Sequence, residues 1–152
     1  NPLTIIDVGC GTGILAIALA KLFRSRVIAV DNDVHSVELT KRNIIVNKVV
    51  HHVKVYRSTG LKGNHLKSRA KYDLIVANIL FNPIKSLMRS FIQNLSNSGF
   101  LILSGLTIKQ ARQLKEISKQ FGLKVLVERK EANWASLLLK RTASKRVIEL
   151  SY

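Results

Sequence analysis

Thr4-Ile-Ile-Asp-Val-Gly-Cys-Gly-Thr-Gly-Ile-Leu-Ala-Ile-Ala18 opens as an apolar run, breaks at alternating glycines and continues in helix-forming residues. A short apolar run ended by glycines reads as a strand buried on both faces of a parallel sheet. Ile14 to Arg24 holds no breaker and reads as the helix that follows it. Working outward, Arg26 to Val30 is a second β-branched run, closed by Asp31-Asn-Asp33. Val34 to Asn47 carries Val34, Val37, Leu39, Ile44 and Ile45 at helical spacing. His52 to Tyr56 alternates as a third strand, and the polar segment Ser58 to Lys71, with Gly60 and Gly63, reads as loop with a short helix.

Tyr72 to Ala77 is a fourth strand, followed by a helix over Pro83 to Leu95 with Asn82 as its N-cap. After an Asn97-Ser98-Gly99 turn, Gly99 to Leu103 is a fifth strand. Thr107 to Phe121 is a helix stopped by Gly122. Lys124 to Arg129 and Trp134 to Lys140 close the pattern as a hairpin joined by Lys130 to Asn133. Strands alternating with helices predict an α/β fold: a mostly parallel seven-stranded sheet, helices on both faces and an antiparallel last strand. In an open sheet of this kind a ligand sits beyond the carboxyl ends of the strands at the switch point. That places the site at Asp7 to Gly13, Asp31 to Asp33, Ser58 to Thr59 and Asn78 to Leu80.

The 152 residues suit one domain, and a hydrophobic share of 47% is too high for a disordered tail. The polar stretch 142–152 reads as a tail. A single cysteine, Cys10, excludes an intrachain disulfide and suits a reducing cytoplasm. No apolar run reaches the roughly 20 residues of a membrane-spanning helix. The chain opens on Asn1 with a strand almost at once, so a segment upstream is expected. Lysine and arginine number 25 against 9 acidic residues, a net charge of +16, with a denser patch at Lys62, Lys67, Arg69 and Lys71. Such a balance fits a nucleic-acid or ribosomal partner, and equally a basic surface with no phosphate to meet. His35, His51, His52 and His65 have no metal-ligand spacing with Cys10, so no metal is expected. Trp134 is expected to pack rather than to touch a substrate.

Two ligands compete for the glycine turn. Gly11-Thr-Gly-Ile-Leu-Ala16 satisfies a relaxed dinucleotide pattern, and Asp31 stands where a carboxylate accepts both ribose hydroxyls. Asp7 helps decide between them. A pyrophosphate on the helix N-terminus is repelled by a carboxylate at the strand end. S-adenosylmethionine has no phosphate and carries an ammonium and a sulfonium, which that carboxylate suits. Asn78 follows the fourth strand and faces the place of a transferred methyl, where its side-chain oxygen accepts from a substrate amine.

Asp7 to Ala18, Ala29-Val-Asp-Asn-Asp33, Val76-Ala-Asn-Ile-Leu80 and Leu103-Ser-Gly-Leu106 resemble the PrmA family, as does Glu131-Ala-Asn-Trp-Ala135 before an apolar strand. Those enzymes methylate the bacterial large-subunit stalk protein L11. The resemblance covers Leu3 to Arg141 and implies a Rossmann-like class I methyltransferase domain over 1–141. It implies transfer from S-adenosylmethionine to amino groups of a ribosomal protein in the cytoplasm. By it Gly9, Gly11 and Gly13 line the cofactor, Asp31 holds the ribose, Ser58 lies near the adenine and Asn78 lies near the methyl. Asp7 and Asn32 complete the expected cofactor contacts. The resemblance implies an N-terminal domain with which family members grip their substrate, and that domain is expected to be absent from these 152 residues. An RNA or DNA methyltransferase is the alternative that charge favours. Against it, Asn78-Ile-Leu-Phe81 has no Pro-Pro-aromatic run for stacking a base. A noncatalytic module that only binds S-adenosylmethionine is a third reading.

Overall fold

The computed structural model describes residues 2–63, 66 and 71–142. His65, Lys67 and Arg69, and 143–152 of the expected tail, lie outside them. The described strands are β1 (Thr4–Val8), β2 (Arg26–Asp31), β3 (Val53–Arg57), β4 (Tyr72–Asn78), β5 (Leu95–Thr107), β6 (Leu123–Glu131) and β7 (Trp134–Arg141). The helices are α1 (Ile14–Phe23), α2 (Val34–Val46), α3 (Phe81–Asn94) and α4 (Ile108–Gln120). The strands form one sheet in the order β3-β2-β1-β4-β5-β7-β6. Its first five members run parallel. β7 is antiparallel to both neighbours, so the final hairpin inserts its second strand between β5 and β6.

Side chains on a strand alternate faces, and this sheet is apolar on both. Ile5, Val27, Ala29, Leu74 and Val76 pack beneath α1 and α2 with Ala16, Ile17, Ala20 and Ile44. Ile6, Val8, Ile75, Ala77, Leu101 and Leu103 pack beneath α3 and α4 with Ile84, Met88, Phe91, Ala111 and Leu114.

Several elements depart from the sequence reading. α3 starts at Phe81, and its N-cap is Leu80, with no side-chain cap, rather than Asn82. The Ile84 amide bonds the Leu80 carbonyl at 3.2 Å, which starts the helix two residues early. Pro83 still falls in the first turn, where its missing N–H leaves no bond unmade. Thr107 lies outside α4 as its N-cap, in a reciprocal capping box with Gln110. β5 begins at Leu95, well before Gly99. Tyr72 pairs with Leu95 and Leu74 with Phe100, so the Asn97-Ser98-Gly99 turn is an outward excursion within the strand. On α2 the buried residues are Val37, Thr40 and Ile44, whereas Val34, Leu39 and Ile45 are exposed. Trp134 is 58% exposed rather than packed, because it sits at the hairpin end beyond the helices' cover.

Phe91 is fully buried between α3 and the sheet. Phe91→Ala is expected to lower the unfolding free energy by about 3–5 kcal/mol. The half-exposed Leu126, changed to alanine, is expected to cost well under about 1 kcal/mol in the same urea titration.

Candidate functional site

The strand order reverses between β1 and β4, so the loops leaving these two strands part there and open a crevice. The turn after β1 is stapled to the end of β2. The amides of Gly9 and Cys10 both bond the Val30 carbonyl, at 2.8 and 3.0 Å. The Gly11 amide donates to Asp31 Oδ2 at 2.9 Å, and the Asp33 amide to Asp31 Oδ1 at 3.0 Å. α2 grips the same turn from the side. The Thr40 hydroxyl donates to the Gly11 carbonyl at 3.0 Å, and Asn43 Nδ2 donates to the Thr12 carbonyl at 2.8 Å.

A cleft of about 560 Å³ opens beyond this turn. β1 contributes Val8 and Gly9, β2 contributes Asp31 with Asn32, and the segment after β3 contributes Ser58, Thr59, Gly60 and Lys62. Ile79 and Leu80 follow β4, and α3 closes the wall with Pro83, Ser86, Leu87 and Ser90. The volume is within the range of small-molecule sites, and the wall is mainly apolar, with Asp31 and Lys62 as its charged residues among those described. Five amides at the turn and the helix start are already spent within the protein. Besides Gly9, Cys10 and Gly11, Gly13 donates to the Cys10 carbonyl and Ala16 to Asp7 Oδ2. A phosphate cradle needs such amides free. Those five are closed to a phosphate, whereas the Asp31 carboxylate on the cleft wall can accept from ligand hydroxyls such as those of a sugar.

Of the residues singled out from sequence, Gly9, Asp31, Asn32 and Ser58 line the cleft. Asp7, Gly11, Gly13 and Asn78 do not. Asp7 is 1% exposed and points beneath α1, where Oδ2 accepts from Ala16 at 3.1 Å and Oδ1 has no partner among the described residues. Gly11 and Gly13 shape the turn; a Cβ on Gly13 would lie 2.6 Å from Thr40 Cγ2. Asn78 is exposed at the end of β4, between the cleft wall at Ile79 and its register partner Ser104. Ser104 lines a second recess of about 520 Å³ with Arg129, Lys130, Glu131 and Trp134.

Sequence reasoning missed Thr40, Asn43, Lys62 as a wall residue, and the α3 wall. Thr40 carried a signal: a hydroxyl on a stripe otherwise made by Val37 and Ile44 needs a buried partner. Ser86 and Ser90, one helical turn apart, carried a weaker one.

Burial pushes the Asp7 carboxyl up to about 7, opposed by the Ala16 amide and reinforced by the charge of Asp31. Burial likewise raises the Cys10 thiol to about 11, so it stays protonated, 3.4 Å from Thr40 Oγ1.

Among solved structures, the chain is similar to a ribosomal protein L11 methylase from Lactobacillus delbrueckii subsp. bulgaricus. The TM-score is 0.84 and the identity 29%, over 93% of this chain and 71% of that one. A precorrin-6y C5,15-methyltransferase from Geobacter metallireducens shares the fold, with a TM-score of 0.75 at 14% identity over 93% of this chain and 81% of that one. Fold and cleft together define a Rossmann-like methyltransferase domain. The family model described as ribosomal protein L11 methyltransferase (PrmA) matches residues 1–142. Ribosomal protein L11 methyltransferases of Bradyrhizobium diazoefficiens and Thermotoga maritima are 38% and 36% identical to the chain, each over 141 residues. The chain belongs to the PrmA family. The matches cover 93% and 91% of this chain but only 48% and 50% of those relatives, so it spans about half their length. No helix among the described residues is long and apolar enough to cross a membrane.

The raised carboxyl of Asp7 makes stability depend on pH. The folded state keeps its proton up to about pH 7, while the unfolded chain loses it near the ordinary value of 3.8. The folded state thus binds more protons across that window, and stability falls as pH rises through it and levels above it. Between pH 5 and 8 this group is expected to remove no more than about 3 kcal/mol. Asp7→Asn is expected to flatten that slope in chemical denaturation at pH 5, 6, 7 and 8; identical slopes in both proteins would contradict the assignment.

Proposed function

We propose that this chain is the catalytic domain of an S-adenosylmethionine-dependent methyltransferase that modifies amino groups of ribosomal protein L11, the substrate named for its relatives. The observation that carries the reading is the placing of Asn78 between two openings. The cleft on one side has a mainly apolar wall with Asp31 and Lys62 as its charged residues among those described, and the recess on the other is lined by Ser104, the register partner of Asn78. A nucleoside cofactor in the first and a protein amine in the second would meet at Asn78.

S-adenosylmethionine supplies, when bound, a methyl group already activated by its sulfonium, so the chain has mainly to align groups and exclude water. Asp31 would accept from the ribose hydroxyls, since the Gly11 and Asp33 amides leave each carboxylate oxygen a further lone pair. Ser58 and Asn32 stand on the cleft wall beside it. Gly9, Gly11, Gly13 and the buried Asp7 would set the path of the turn that faces the cofactor. Ile79 and Leu80, on the cleft wall, would supply apolar surface next to the reacting atoms. The side-chain oxygen of Asn78 would accept from the incoming amine and turn its lone pair toward the methyl. That amine must be neutral, and with an ordinary lysine value of about 10.4 it has to lose a proton to solvent first. The reading makes the protein cytoplasmic, with the L11 protein as partner and RNA contact through the basic surface as a further possibility to test.

Asp31→Ala is expected to weaken S-adenosylhomocysteine binding by about tenfold or more in calorimetry, through loss of charged hydrogen bonds to the sugar. Asn78→Ala is expected to cut turnover by about tenfold or more while leaving that affinity within about threefold. Labelled-methyl transfer to L11, RNA and DNA decides the acceptor, and label on nucleic acid alone would replace the protein substrate. Tighter binding of a nicotinamide dinucleotide than of S-adenosylhomocysteine would sink the reading.

A further inference from the structure

β5 does not run straight past Asn78. Leu103 pairs with Leu137 and Leu106 with Ala135, so Ser104 and Gly105 on β5 face Ser136 alone on β7. That two-against-one arrangement is a β-bulge, a device that turns a strand or re-aims a side chain. Gly105 has φ +75, in the left-handed region. A Cβ there would lie 2.8 Å from Asn78 Oδ1 and 3.0 Å from the Ile79 carbonyl oxygen. On the other side of the same dipeptide, a Cβ on Gly9 would collide with Ile79 Cγ2. The turn Asn78-Ile79 is therefore seated between two bare α-carbons, one from the β1 loop and one from the β5 bulge. Leu103-Ser-Gly-Leu106, distinctive in the sequence, has no place in the cleft wall that would otherwise explain its glycine.

We propose that the Ser104–Gly105 bulge positions Asn78, with Gly105 acting as a positioning residue for methyl transfer. The proposal rests on the reading of Asn78 given above. Without a Cβ at 105, the Asn78 carboxamide lies close against β5. A methyl in that space displaces the oxygen or tilts the Ile79 peptide. Displacements of about 1 Å at a reacting group cost up to about 100-fold in rate.

The test compares Gly105→Ala, Gly122→Ala, Asn78→Ala and the Asn78→Ala/Gly105→Ala pair. Gly122 has φ +69, yet a Cβ there meets only Thr142 Oγ1, at 3.8 Å, so it reproduces the backbone strain away from the site. Three quantities are read: the side-chain carboxamide resonance of Asn78 by nitrogen-15 NMR, the dissociation constant of S-adenosylhomocysteine, and kcat and KM for methyl transfer to L11. Gly105→Ala is expected to move the resonance and lower kcat by about tenfold or more, with the dissociation constant within about threefold. Gly122→Ala leaves all three unchanged, and the pair turns over like Asn78→Ala alone. An unmoved resonance in Gly105→Ala overturns the proposal, as do equal losses of affinity and kcat, or losses that add in the pair. The resonance decides the matter even where turnover is too slow to follow. Unchanged turnover in Asn78→Ala defeats the reading of Asn78 together with this proposal. A loss there, with Gly105→Ala fully active, defeats the proposal alone. If Gly105→Ala does not fold, a folded pair with the turnover of Asn78→Ala upholds the proposal, and an unfolded pair overturns it.

Discussion

The carboxylate of Asp31 receives the Gly11 amide on one oxygen and the Asp33 amide on the other. Three segments meet at that group: the glycine turn after β1, the end of β2 and the start of α2. The Val30 carbonyl adds to the junction by accepting from Gly9 and Cys10. A carboxylate that accepts two backbone amides is fixed in direction, and charge-assisted bonds of this kind are about twice as strong as neutral ones. The cleft exists because the turn is held back against β2 instead of folding over the strand ends. The same bonds occupy the Gly9, Cys10 and Gly11 amides, so the interaction that shapes the turn also closes those donors to a ligand.

Strand parity explains why the acids of this region differ. Asp7 belongs to the face covered by α1 and α2, where it is buried under Ala16 with one oxygen unpaired. Val8, one residue on, belongs to the opposite face and reaches the cleft wall. Asp31 ends its strand at the rim and meets both the turn and the cleft. Burial raises the first carboxyl to about 7. Near neutral pH, Asp7 is therefore a partly protonated prop for the turn, and Asp31 is the acid available to a ligand. The Thr40 and Asn43 bonds complete this support from α2, a helix that contributes no residue to the cleft wall.

The residues matched to the PrmA family contain the cleft, the Asn78 turn and the hairpin recess. The exposed Trp134 and the basic residues Arg129 and Lys130 make that recess polar, in contrast to the more apolar cleft. Such asymmetry suits a reaction in which a small nucleoside is enclosed and a large protein approaches from outside.

Periodicity and turn chemistry in the sequence determined the alternation of strands and helices, the parallel sheet with an antiparallel last strand, and the four segments that converge on the site. Those are local properties: apolar runs between glycines, Asp31 closing a β-branched run, and Gly122 ending a helix. Boundaries failed where a distant partner decides them. β5 gained its first residues by pairing Leu95 with Tyr72, and α3 began early on the Leu80 carbonyl. Tertiary structure alone decided that Asp7 is buried while Asp31 is presented, because sequence shows both as acids at strand ends and only the covering helix distinguishes them. It alone showed Thr40 clasping the turn and Gly105 lying under Asn78. Those pairs are separated by 29 and 27 positions in the chain, and no local pattern encodes a contact made by packing.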